Sequence, residues 1–151
     1  MLKKDWTSVC RSLEYFCARR ERSPAAVRRR MAELGLDEVA AQTLWEHLVR
    51  DRFVDEERYA CAFANDKMRL ERRGRLLIRC ALHQQGVSPA AIERALTALD
   101  PQEYADAFRQ ALAQKRRYYA GHPNANLKVR AALLRAGFEP ELFEHLNDLE
   151  T

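Results

Sequence analysis

Glycine and proline are scarce, five of each among 151 residues, and strand-like alternation of apolar and polar residues is absent. Together these exclude a sandwich or barrel of many short strands, which needs turn residues at regular intervals. No apolar run approaches the ~18 residues of a membrane span, and the N-terminus carries no signal-peptide pattern. The expected location is the cytoplasm, with no membrane partner. Cys10, Cys17, Cys61 and Cys80 include no C-x-x-C pair. Cys10 and Cys17 lie seven apart on one helix face, which favours packing of reduced thiols over bridging. His47, His83, His122 and His145 have no metal-ligand spacing. A nucleophile–base constellation, a phosphate loop and a paired-carboxylate motif are also missing. Neither enzymatic activity nor a cofactor or metal is expected.

What the chain does have is a period. Val27-Arg28, Ile78-Arg79 and Val129-Arg130 are spaced 51 apart, and so are Gly35, Gly86 and Gly137. Between pair and glycine stands a second apolar column, Met31, Leu82 and Leu133; after the glycine comes a third, Leu36, Val87 and Phe138. Self-similarity at a fixed spacing marks a repeat architecture, in which each unit buries its apolar face against its neighbours. Within each repeat the apolar residues follow the 3.6-residue helical period, as in Trp6, Cys10, Leu13 and Cys17. Trp6 and Trp45 both sit on such stripes and are expected in the core.

Helix starts are marked by Ser23-Pro24 and Ser88-Pro89, which set a capping hydroxyl before a proline at the first helical position, and by Asp37, Asp55 and Asp100-Pro101. Stops are marked by the three periodic glycines, suited to the left-handed residue just past a helix end. The fold class expected is all-α: three tandem three-helix repeats over 1–54, 55–100 and 101–151, in an elongated, curved array. First helices are placed at 4–20, 55–71 and 101–119, second helices at 24–34, 75–85 and 126–136, and third helices at 38–51, 89–99 and 140–149.

The register also organises the charge. Net charge is only +4, but basic residues gather between the end of each first helix and the middle of each second. Arg28, Arg29 and Arg30 do so in the first repeat, and Lys67, Arg69, Arg72, Arg73, Arg75 and Arg79 in the second. Lys115, Arg116, Arg117, Lys128 and Arg130 do so in the third. Acids such as Glu38, Glu46, Glu93, Glu141 and Glu144 collect on the third helices. A basic stripe that recurs in every unit suits a phosphate backbone, where each neutralised phosphate releases counterions. Any single arginine has a plainer explanation, complementing a helix dipole from a solvated face. Tyr118-Tyr119, next to Arg116-Arg117, has two readings as well: stacking on bases beside a basic groove, or packing on the core and capping a helix end.

These residues resemble the RecX family of RecA regulators. The best stretch runs from Arg52-Phe53-Val54-Asp55-Glu56-Glu57-Arg58-Tyr59-Ala60 through Phe63, Lys67, Gly74 and Ile78. It continues along Ala81-Leu82-His83-Gln84-Gln85-Gly86-Val87 to Ile92 and Leu96. Leu133-Leu134-Arg135-Ala136-Gly137-Phe138 is similar to a later family segment, and the first repeat is similar more loosely. Three positions depart from the family pattern: Leu77 where arginine is common, Ala81 where an acid is common, and Gln85 where lysine precedes the glycine. The resemblance implies a monomer that binds single- and double-stranded DNA and lies in the groove of the RecA nucleoprotein filament. There it would limit filament extension, strand exchange and the co-protease activity that triggers the SOS response. A helix-turn-helix transcriptional regulator and a protein-only helical scaffold stand as alternatives. The first of these expects a recognition helix rich in Arg, Asn and Gln, whereas the third helices here are acidic.

Overall fold

The computed structural model describes residues 5–143, all of whose regular structure is helical. The first repeat holds α1 (Trp6–Arg19), α2 (Pro24–Glu33) and α3 (Glu38–Arg50). The second holds α4 (Glu56–Glu71), α5 (Arg75–Gln84) and α6 (Pro89–Thr97). Then come α7 (Pro101–Tyr119), α8 (Ala125–Arg135) and a single 3-10 turn at Pro140–Phe143. That turn stands where a third helix over 140–149 was expected; Glu144, His145, Leu146 and Leu149 lie outside the described residues, as does Lys4.

The expected caps form. The Ser23 and Ser88 hydroxyls accept from the backbone N–H of Ala26 and Ala91, at 3.0 and 3.4 Å. Asp37 and Asp55 accept from Ala40 and Arg58, and Asp100 accepts from both Gln102 and Glu103 at 2.9 Å. Each satisfies donors that the first helical turn leaves without an intrahelical partner. Gly35, Gly86 and Gly137 take φ of +77°, +80° and +96°, closing α2, α5 and α8.

All the apolar columns go inside except at Leu36. Val27, Ile78 and Val129 are buried, as are Met31, Leu82, Leu133, Val87 and Phe138, while Leu36 is half-buried. Fully burying one such side chain contributes roughly 1.5–3 kcal/mol. The columns do not make three separate cores, however. One cluster holds Val9, Leu13, Cys17, Val27, Met31, Leu44, Leu48 and Val54. A second runs without interruption from Ala60 to Phe143, across the second and third repeats. Phe138 closes it, with its ring 5.7 Å from Tyr104 and 5.4 Å from Phe108. Trp6 does not join the first cluster. It is 44% exposed, because the buried stripe of α1 begins a turn later at Val9. Trp45 packs against that cluster, half-buried.

The repeats meet through one device used twice. The open N-terminal turn of a second helix donates its N–H groups to the carbonyls of the glycine turn that ends the next repeat's second helix. Ala25 N donates to Gln85 O at 3.0 Å. In the next junction Gly74 N donates to Ala136 O at 2.8 Å and Leu76 N to Gly137 O at 2.9 Å. This second contact is backbone on backbone: a Cβ on Gly74 would lie 2.3 Å from the Gly137 carbonyl carbon. Gly35 holds the register position of Gly86 and Gly137, yet nothing lies within 4 Å of where its Cβ would be.

Candidate nucleic-acid interface

The basic residues divide by what they touch. In α2, the Arg28 guanidinium sits 4.2 Å over the Trp45 ring, Arg30 pairs with Glu33 at 3.0 Å, and Arg29 is exposed. At the end of α4, Lys67 pairs with Glu71 at 2.5 Å and stands 5.4 Å from the Phe63 ring. Arg69 donates twice to one oxygen of Glu103, at 2.7 and 3.1 Å, and Arg72 donates to Gln110 Oε1 at 2.9 Å. Arg72 does so from a left-handed backbone, φ +52°.

Arg75 belongs to the junction. Its guanidinium lies 3.8 Å over the Tyr104 ring and 3.6 Å from Glu139, while its own N–H donates to the Tyr104 hydroxyl at 3.1 Å. That hydroxyl in turn donates to Glu139 at 2.7 Å. Burial, and secondarily the Glu139 carboxylate, push the Tyr104 phenol far above its ordinary value, against the opposing pull of the Arg75 N–H. Arg79 is held by both oxygens of Glu93, at 2.7 and 3.3 Å. The hydrogen bond from Arg79 holds the Glu93 carboxyl below its usual range, as Lys67 does for Glu71. Arg130 donates to the Phe143 carbonyl at 3.3 Å.

The side chains of Arg29, Arg73, Lys115, Arg116, Arg117 and Lys128 make no ion pair or hydrogen bond among the described residues. Arg73 and Lys67 stand on the rim of a cleft of about 250 Å³ between α4 and α5, floored by Leu77, Ile78 and Ala81, with Glu71 beside them. An anion entering there meets one uncommitted guanidinium and an ammonium shared with Glu71. Arg116 and Arg117 are carried by the last turns of α7, beyond its last buried residue, Ala111.

The sequence predicts the basic segments but not their engagements. Glu103, Gln110 and Glu139, which bind Arg69, Arg72 and Arg75, lie 34, 38 and 64 positions from those arginines, where no local pattern announces them. The acids of α6 and of the turn after α8 do not simply form a separate acidic face, since Glu93 and Glu139 neutralise second-helix arginines. An alanine triple replacement at Arg72, Arg73 and Arg75 would therefore perturb the junction as well as any phosphate contact. Two of the departures from the family pattern are junction residues. Gln85 accepts from Ser23 Oγ through its side chain at 3.0 Å and from Ala25 through its carbonyl. Leu77 packs against Gly137.

The cysteines are free thiols, and burial pushes those of Cys10 and Cys17 up. Among the described residues no group of three His, Cys, Asp or Glu side chains could hold a metal ion. No helix among them is long and apolar enough to cross a membrane.

Residues 55–96 match the family model described as RecX, second three-helix domain. The regulatory protein RecX of Geobacillus kaustophilus strain HTA426 is 29% identical over 133 residues, covering 85% of this chain and 48% of that protein. Regulatory protein RecX of Limosilactobacillus reuteri strain DSM 20016 is 23% identical over 129 residues, covering 84% and 49%. The chain thus spans about half the length of the curated relatives it matches. In fold it is similar to a crystal structure of regulatory protein RecX, with a TM-score of 0.86 at 20% identity, covering 95% of this chain and 73% of the other. A crystal structure of RecX from Lactobacillus salivarius superposes with a TM-score of 0.85 at 16% identity, covering 98% and 97%.

Proposed function

We propose that the chain, which is similar to RecX proteins over most of its length, is a RecX-family protein and a non-catalytic modulator of the RecA recombinase. In this reading it binds in the groove of the RecA–DNA filament and limits filament extension, and with it strand exchange and co-protease activity. It works in the cytoplasm as a monomer of three repeats, 1–54, 55–100 and 101–151. The observation that carries the reading is the set of uncommitted cations, Arg29, Arg73, Lys115, Arg116, Arg117 and Lys128, contributed by every repeat. Cations already paired within the molecule must break those pairs before meeting a phosphate. Uncommitted ones bind at no such cost and release counterions from the nucleic acid. The paired arginines Arg69 and Arg75 tie the second repeat to the third, and Arg79 ties α5 to α6 within the second, so that the free cations are carried on a fixed frame.

The reading is tested by titrating the protein into RecA assembled on single-stranded DNA and following ATP hydrolysis and filament length. Inhibition is expected near stoichiometric amounts and should weaken as salt rises. Unchanged hydrolysis and extension at excess protein would overturn it. Salt-dependent binding to duplex DNA without any effect on RecA would point instead to a transcriptional regulator.

A further inference from the structure

The last two turns of α7 carry an aromatic ring, Tyr118, that neither the core nor the junctions use, while Tyr119 beside it packs on the core. Along α7 the buried face is Tyr104, Ala107 and Ala111. Tyr118 lies seven residues beyond Ala111, two helical turns on, so it continues the same stripe. Yet Tyr118 is 71% exposed, because the helix outruns the core there. Its ring meets Tyr119 edge to face at 4.8 Å and 87°, and Tyr119 meets His122 in the same way at 5.8 Å and 88°.

The repeat shows what this position does elsewhere. Phe16, Lys67 and Tyr118 stand 51 apart, as do Arg22, Arg73 and Asn124. In the first repeat the Arg22 guanidinium covers the Phe16 ring at 3.8 Å, pinned by a hydrogen bond from its Nε to the Phe16 carbonyl at 2.9 Å. A planar cation thus occupies that ring face. In the third repeat the covering residue is Asn124, which has no guanidinium to stack, and no cation lies over the Tyr118 ring among the described residues. The positions that line the α4–α5 cleft, Lys67, Arg73 and Leu77, become Tyr118, Asn124 and Lys128. Lys115 lies one turn before Tyr118 on the same face, and Arg117 is next to it in the chain; these two side chains and that of Lys128 make no ion pair or hydrogen bond among the described residues.

We propose that this overhang stacks an unpaired nucleobase on Tyr118, with the adjoining phosphates held by Lys115, Arg117 and Lys128. An aromatic face takes any base by stacking but cannot reach one inside a paired helix, so the site favours single strands over duplex. The proposal rests on the nucleic-acid reading above and names the strand form that the third repeat recognises.

The test uses the full chain and three labelled probes: a single-stranded oligonucleotide, the same length of abasic strand, and a duplex. Tyr118→Ala is expected to weaken single-strand binding about 5- to 150-fold, the range of one lost base stack, with an unchanged salt slope. Binding of the abasic strand and of duplex should stay as in the parent, and Tyr118→Phe should restore single-strand affinity. Tyr118 is exposed, so helicity by circular dichroism should not change in either variant. An unaltered single-strand affinity in Tyr118→Ala, or an equal loss on all three probes, would overturn the stacking site while leaving the basic surface intact. If the parent shows no salt-dependent affinity for any probe, the nucleic-acid reading itself fails, and this inference with it.

Discussion

Replacing Gly74 with alanine puts a methyl group 2.3 Å from the Gly137 carbonyl carbon and 2.4 Å from the Phe138 N. Those are backbone atoms at the end of α8 and cannot swing aside as a side chain can. Overpacking against yielding neighbours costs about 1–3 kcal/mol. Here the junction must also open, losing the bonds from Gly74 N to Ala136 O and from Leu76 N to Gly137 O, each about 0.5–1.5 kcal/mol. The expected destabilisation is therefore about 2–6 kcal/mol, and it should fall on the core that runs from Ala60 to Phe143. Gly35→Ala supplies the control. Its φ of +77° penalises alanine, but its surroundings are open, so about 1–2 kcal/mol is expected. Both tryptophans, Trp6 and Trp45, lie in the first repeat, so their fluorescence reports that core while far-UV circular dichroism reports all the helices. In urea titrations, Gly74→Ala should lower the circular-dichroism midpoint and leave the fluorescence midpoint nearly in place. Gly35→Ala should move fluorescence, and by less. If Gly74→Ala unfolds within about 1 kcal/mol of the parent, or if Gly35→Ala costs as much, the shared junction geometry is wrong.

Three further outcomes are expected. Tyr104→Phe removes the hydroxyl that accepts from Arg75 N and donates to Glu139, costing roughly 1–3 kcal/mol at neutral pH. Because the phenol is raised in the folded protein, the folded state keeps a proton that the unfolded chain loses, so this contribution is full below the ordinary tyrosine value of about 10 and drains away as pH rises above it. Thermal melts of the parent should fall more steeply above that pH than those of the variant; parallel curves would refute the linkage. Glu93→Gln should release Arg79 from its two-oxygen clamp and steepen the salt dependence of DNA binding by roughly one phosphate; an unchanged slope in fluorescence anisotropy would show that Arg79 does not face the nucleic acid. Arg73→Ala should weaken DNA binding and flatten its salt slope at constant melting temperature, whereas Arg75→Ala should lower the melting temperature through Tyr104 and Glu139. Identical behaviour of the two variants would contradict the division between free and committed arginines.

Much of the fold was legible because its signals are local. A serine or aspartate three residues before a free N–H caps a helix whatever surrounds it, and Ser23, Asp37, Asp55, Ser88 and Asp100 all do so. A helix expected over 101–119 is found at Pro101–Tyr119. The periodic apolar columns are buried because the 3.6-residue period itself puts them on one face. Trp6 shows where that reasoning stops. Periodicity assigns a face, but only the reach of the neighbouring helices decides whether the face is covered, and the core of α1 starts at Val9.

For the candidate site, the sequence located the basic segments by register, and no sequence pattern sorted their members. Arg73 and Arg75 are two residues apart and chemically identical, yet one rims an open cleft and the other stacks on Tyr104 within a junction. The tyrosines at the end of α7 were legible as a pair next to two arginines, but the exposure of Tyr118, and the missing counterpart of Arg22 over its ring, belong to the fold.

The sequence alone determined the capped helix starts, most of the inward-facing positions, Trp6 and Leu36 excepted, and the 51-residue spacing at which glycine, apolar and basic positions recur. Those depend on capping, chirality and helical pitch, which act over a few residues. The tertiary structure alone decided that three repeats share two cores, that Gly74 meets Gly137 backbone to backbone, and which arginines remain uncommitted. Ion pairs and close approaches join residues tens of positions apart, and their partners are chosen only when the repeats pack.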